Sequence, residues 1–168
     1  MAQVFISFIH EEEAVAISVK DFITQVLGET VNPFLSSDTS TVYAGERWMD
    51  RTVDELKGAK VVISLLSPES VKRPWVNFEA GAAWIKDAAL IPACFWGPTK
   101  DTLPKPYSSL QAVNLSDSED QYYLVKSIAH YLQLPAPPWQ WGPGTKEQRE
   151  EIGRPYADLK YYLDVLRE

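Results

Sequence analysis

Short apolar runs alternating with helical patterns constrain this chain more than any other feature. Val4–Phe8, Val61–Leu66 and residues 90–95 are each five or six residues long, too short for a stable helix, and rich in β-branched and aromatic side chains. Such runs read as strands buried on both faces. Between the first two, Val15, Val19, Phe22 and Val26 recur at helical spacing, with Ile23 and Leu27 beside them. Glu11, Glu12 and Glu13 fall in the first turn of that helix, where negative charge suits the dipole, and Gly28 is placed to end it. Residues 31–35 suit a second strand, which Pro33 pushes toward a sheet edge. Residues 36–45 form a polar loop, and 46–57 read as a helix with Trp48, Met49, Val53 and Leu56 inward. Ser67-Pro68 marks a turn or a short capped helix. Pro74 opens a helix to about residue 87, residues 112–115 make a short fifth strand, and 120–132 form a helix with Leu124, Ile128 and Tyr131 on one face.

Strands alternating with helices imply a parallel sheet with right-handed crossovers. The expected fold is α/β: a flavodoxin-like, doubly wound, five-stranded parallel sheet with helices on both faces, plus a C-terminal extension. The expected division is a domain over residues 1–134, then a Pro- and Trp-rich strap and a helix over 135–168. The helix is placed at 155–167, where Tyr156, Leu159, Leu163 and Leu166 share a face. That stripe must bury on this domain, a second copy or a further domain.

Composition narrows the function. Apolar residues make up 45% of the 168, enough for a sizeable core. The net charge of -7 argues against a duplex-DNA binder, which needs a basic stripe to displace counterions. No run approaches the roughly 20 apolar residues of a membrane span. One cysteine, Cys94, gives neither a disulfide framework nor a zinc cluster, and its apolar surroundings suit a buried structural thiol. The chain enters an apolar strand at once, without a basic leader, so a cytoplasmic setting is expected. No metal and no direct contact with nucleic acid or membrane is expected.

In doubly wound sheets ligands bind outside the carboxyl ends of the strands. That edge gathers Ser7, Phe8, Ile9 and His10 from the first strand, Ser36, Ser37 and Asp38 from the second, Ser67 from the third, and Trp75 with Glu79 from the following helix. Glu79 is the most informative. It lies at i+4 from Trp75, on a face shared with Val76, Ala82 and Ala83. A carboxylate on an apolar face costs free energy unless it is paired or functional. The competing account is a Glu favoured near a helix start or paired with Arg73. His10 reads as a catalytic group or as a solvated loop side chain, Asp38 as a loop cap, Arg47 as a phosphate contact or a solvated charge, and Trp48 as core. A Ser-His-Asp triad is poorly supported by only two histidines, and no phosphate-binding glycine loop occurs.

Taken together these residues resemble a TIR (Toll/interleukin-1 receptor) domain of the bacterial, NAD-cleaving kind. Val4–Phe8 resembles the first box of that family. Asp38, Gly45 seven residues on, and Trp48 resemble its BB loop and the start of the following helix. Residues 59–68 resemble its third strand, and Trp75-Val76-Asn77-Phe78-Glu79 its W-x-x-x-E motif. The resemblance covers about residues 3–134. It implies that Glu79 is the catalytic glutamate facing the nicotinamide-side ribose of NAD, a substrate rather than a cofactor. It implies substrate contacts at Ser7, Phe8, Ile9, His10, Asp38, Arg47, Trp48, Ser67 and Trp75. Where relatives often carry basic residues after the first strand, this chain has Ile9-His10.

The activity so implied is NAD glycohydrolysis to nicotinamide and ADP-ribose or a cyclic isomer, in anti-phage or immune signalling, with homotypic assembly and a sensor or effector partner. The alternative is a non-catalytic TIR scaffold assembling through the 36–47 loop. A third reading, a nucleoside deoxyribosyltransferase-like enzyme, shares the sheet type and a catalytic Glu but not the BB-loop spacing.

Overall fold

The computed structural model describes residues 3–37 and 48–168. Five parallel strands, β1 (Val4–Phe8), β2 (Phe34–Ser37), β3 (Val61–Leu66), β4 (Ala89–Cys94) and β5 (Val113–Asn114), lie in the order β2-β1-β3-β4-β5. This is the expected five-stranded doubly wound sheet. The chain reverses its direction of travel across the sheet between β1 and β3, so the ligand-binding crevice of such folds falls at their carboxyl ends.

Alternation along each strand sorts side chains into two cores. Val4, Ile6 and Phe8 of β1 join Ile63 and Leu65 of β3 under α1 (Glu13–Leu27) and α4 (Ser118–Tyr131). Phe5 and Ile9 join Val62 and Leu66 under α2 (Trp48–Gly58) and α3 (Pro74–Ile85). Ser7 and Ser64 therefore face α3, a polar interruption in an apolar layer. Lys86, just past α3, reaches the end of α2. Its Nζ donates to the carbonyls of Leu56 (3.0 Å), Lys57 (2.5 Å) and Ala59 (2.7 Å), satisfying acceptors that a helix C-terminus leaves open.

Beyond shifts of one or two residues at β4, β5 and the end of α3, three boundaries differ from the sequence reading for a visible physical reason. Strand β2 begins at Phe34 rather than Val31, because Pro33 has no N–H to give the ladder and Val31 instead turns back to bond the Gly28 carbonyl. Helix α4 begins at Ser118, where the Asp117 carboxylate accepts from the amides of Glu119 and Asp120. The last helix, α5, runs Lys146–Arg167 and passes through Pro155 instead of starting there. A capping box starts it: the Thr145 hydroxyl accepts from the Gln148 amide, and the Gln148 side chain accepts from the Thr145 amide.

Three of the four stripe residues on α5 are buried on this domain, while Leu166 at its end is exposed. Tyr156, Leu159 and Leu163 enter the core that α1 covers, and Tyr156 meets Phe22 edge-on at 5.1 Å. In the strap, Trp139 packs on Tyr122 at 4.4 Å and on Tyr156 at 5.9 Å. The Trp96 indole donates to the Leu163 carbonyl. The Tyr156 hydroxyl is buried without a hydrogen-bond partner, and burial raises its pKa. Leu159→Ala should therefore lower stability to urea by about 2–5 kcal/mol, through lost burial and a cavity. Tyr156→Phe should be neutral or stabilising by up to about 1 kcal/mol, since it removes an unsatisfied polar atom. A large loss in Tyr156→Phe would contradict this packing.

Candidate active site

Glu79 has no exposed surface. It sits in the second turn of α3, on the face formed with Val76, Ala80 and Ala83, all buried. Pro74 occupies the first position of the helix, where a missing N–H is harmless. The Ser7 hydroxyl of β1 donates to Glu79 Oε1 at 2.7 Å, and the Ser36 hydroxyl of β2 donates to Oε2 at 2.7 Å. These lengths suit hydroxyls bonded to an ionised carboxylate. The charge is thus compensated inside the protein, as burial demands. The Arg73 guanidinium, at the start of the same helix, pairs with Glu11 at 3.2 Å.

Tyr107, from the connection between β4 and β5, lies within electrostatic reach of Glu79. Its hydroxyl donates to Asn77 Oδ1 at 2.8 Å. Burial, reinforced by the negative charge of Glu79, pushes the phenol up to about 12. Trp75 stacks on Phe78, centroids 5.3 Å apart and planes at 22°. Phe78 is over half exposed, so this aromatic pair borders solvent.

A second cluster stands at the exits of β1 and β3. Ser67 is buried, and its hydroxyl accepts from the amides of Glu69 and Ser70. Ser70 returns a bond to the Leu65 carbonyl. Beside them Glu12 is only 7% exposed, and its Oε1 has no hydrogen-bond partner. Burial raises its pKa most. Glu11 and Glu69 add to the rise, while the Ser67 hydroxyl and Arg73 oppose it.

The structure brings together only part of the expected set. Ser7 points at Glu79. Phe8 does not wall that site: strand alternation turns it into the core under α1, where it is 3% exposed. Ile9 is buried on the α3 side, and His10 is exposed in a 3-10 turn spanning His10–Glu12. Ser67 serves the neighbouring cluster. Asp38, Gly45 and Arg47 lie outside the described residues, as does the side chain of Trp48. Cys94 is buried, and burial with the Asp120 charge pushes its thiol up to about 11, so it is no nucleophile. Among the described residues no cluster of three or more His, Cys, Asp or Glu is arranged to hold a metal, and no helix is long and apolar enough to cross a membrane.

Two residues of this region escaped the sequence reading. The sequence puts Ser36 at the right edge but offers no role for it, because its bond to Glu79 depends on which strand neighbours β1. Glu12 stands in sequence with two other glutamates in a helix first turn. The 3-10 turn rotates it inward while Glu11 stays out.

A family model described as TIR domain matches residues 4–132. The chain belongs to the TIR domain family. Among solved structures, this TIR domain is similar to a metazoan TIR-STING receptor from C. gigas, determined in complex with 2',3'-cGAMP. The two share 23% identity with a TM-score of 0.53, over 82% of this chain and 41% of that one. It also matches the TIR domains of the activated Roq1 resistosome, which directly recognises the pathogen effector XopQ, at 8% identity and a TM-score of 0.44, over 98% of this chain and 85% of that one. No curated protein matches the chain.

The state of Glu12 sets a stability test. Its folded pKa is raised, so folding favours the protonated carboxyl. That contribution is fully present below the unfolded value, taken as 4.5, and is lost as pH rises through the higher folded value. Glu12→Gln keeps the shape without the charge. Its stability relative to wild type should increase as pH is raised from about 4 to 7, read by urea unfolding at each pH. A variant that loses ground over that range would show that the ionised carboxylate stabilises the fold.

Proposed function

We propose that this TIR domain is an NAD glycohydrolase. The observation that carries the reading is the Glu79 carboxylate, buried at the crevice edge beside the aromatic Trp75 and held through both oxygens by Ser7 and Ser36. Nicotinamide leaves NAD as a neutral molecule, so its departure needs no strong general acid. Breaking the glycosidic bond leaves oxocarbenium-like charge on the ribose. A pre-oriented carboxylate in a water-poor site stabilises that charge without reorganising, and it orients the ribose hydroxyls. Capture by water gives ADP-ribose, and capture by a nucleophile of the adenosine half gives a cyclic isomer. Because Glu79 has no exposed surface, substrate contact requires the atoms covering it to move aside. That requirement fits turnover governed by homotypic assembly, with a sensor or effector partner, in anti-phage or immune signalling inside the cell.

The same burial supports a second reading, in which Glu79 is a structural tie and the domain is a non-catalytic scaffold assembling through the 36–47 loop.

Chromatography of NAD incubated with concentrated protein decides between them. The enzyme reading expects release of nicotinamide, with a loss of about 10²–10³-fold or more in Glu79→Ala. Circular dichroism should show the variant folded. Wild-type turnover in that variant would remove Glu79 from the chemistry.

A further inference from the structure

Strands β2, β1 and β3 are parallel and in register, with Ser36 opposite Ser7 and Ser7 opposite Ser64. Residues paired this way project from the same face. Three serines thus form a row across three strands, in the layer that α3 covers. All three are buried, at 3%, 0% and 0% exposure. Neighbouring rungs of such a row are about 4.8 Å apart. The two oxygens of one carboxylate can each take a hydroxyl from adjacent rungs, but cannot reach a third. The structure shows that outcome: Ser36 and Ser7 each bond one oxygen of Glu79, and the Ser64 hydroxyl has no hydrogen-bond partner.

We propose that Ser7 and Ser36 are positioning residues for Glu79, holding the carboxylate ionised and in one orientation by a hydrogen bond to each oxygen. The pairing of serines with carboxylate stands apart from the NAD-cleaving reading, and only the turnover readout below rests on it. Ser36 ties Glu79 to the sheet edge, because β2 is the edge strand and β1 is its neighbour in the sheet. Through Ser36 the carboxylate senses the placement of that edge. Ser64 is the built-in control, a buried serine of the same row that does not touch Glu79.

The test follows the Glu79 side-chain carboxyl carbon by NMR across a pH titration, assigned by its loss in Glu79→Gln. It compares wild type with Ser7→Ala, Ser36→Ala and Ser64→Ala. Tyr107, facing Glu79 from the β4–β5 connection, stays neutral over this range. The Glu79 midpoint should rise by about one unit or more in Ser7→Ala and Ser36→Ala, the scale of one charge-assisted hydrogen bond, and stay at the wild-type value in Ser64→Ala. NAD turnover should fall about tenfold or more in kcat in the first two, with KM little changed, and be unaltered in Ser64→Ala. Wild-type midpoints in both Ser7→Ala and Ser36→Ala would overturn the proposal. So would an equal rise in Ser64→Ala. Removing a donor from a buried charge also threatens folding, so the same serine substitutions are made in Glu79→Gln. They should destabilise that background less than wild type, and equal losses in both would overturn the proposal too. Shifted midpoints in a protein that never cleaves NAD would remove the enzyme reading and leave the serine assignment in place.

Discussion

A carboxylate with no access to water must find its hydrogen bonds inside the protein, and much of this structure's working edge is arranged around that requirement. Glu79 meets it with one hydroxyl from β1 and one from β2. The consequence is geometric. Helix α3 follows β3 in the chain, yet its buried charge is anchored one and two strands away. The anchor fixes the rotation of α3 about its axis and turns Val76, Ala80 and Ala83 onto the sheet together with Glu79. Losing one hydroxyl would leave a buried charge short of a partner, which is far costlier than losing an exposed bond.

The neighbouring Glu12 shows what the same residue type does without that provision. It is nearly as buried, yet one of its oxygens has no partner, and its pKa moves upward because burial outweighs the help from Ser67 and Arg73. Both glutamates stand near the crevice between β1 and β3. One is held by hydrogen bonds to both oxygens, and the other is held against its own solvation. The ion pair between Glu11 and Arg73 then links the exit of β1 to the start of α3, and the Ser67–Ser70 bonds stiffen the turn between β3 and α3. Half-exposed ion pairs of this kind contribute little on their own. The buried serine network contributes more, because its bonds have no competing water.

The family match ends at residue 132, but the folded unit does not. Tyr156, Leu159 and Leu163 of α5 belong to the same core as Phe22 of α1 and Ile128 of α4. The strap carries Trp139 across to Tyr122, so the crossing is itself an apolar contact. The outer face of α1 is therefore covered by the chain's own last helix. On that side of the domain α5 presents Tyr161, Tyr162 and Val165 outward.

The sheet was legible because its signals are local. Val61–Leu66 is a strand by composition alone, and the alternation with helical patterns determines the parallel topology. Glu79 was legible for a related reason: a charge among Val76, Ala82 and Ala83 breaks the helical pattern and asks for an explanation. Its partners were not. Ser7 and Ser36 are far apart in sequence, and nothing near either one marks it as a carboxylate ligand. Their meeting depends on strand order and on register, which a one-residue slip would reverse by turning Ser36 to the other face. Pro155 misled for the converse reason. Its local signal is strong, since proline usually opens or breaks a helix. The Thr145–Gln148 capping box and the burial of Tyr156, Leu159 and Leu163 outweigh it, and the helix runs through. Where free energy is set by neighbours along the chain, the sequence carries the signal. Where it is set by neighbours across the sheet, as in the serine row, only the folded arrangement exposes it.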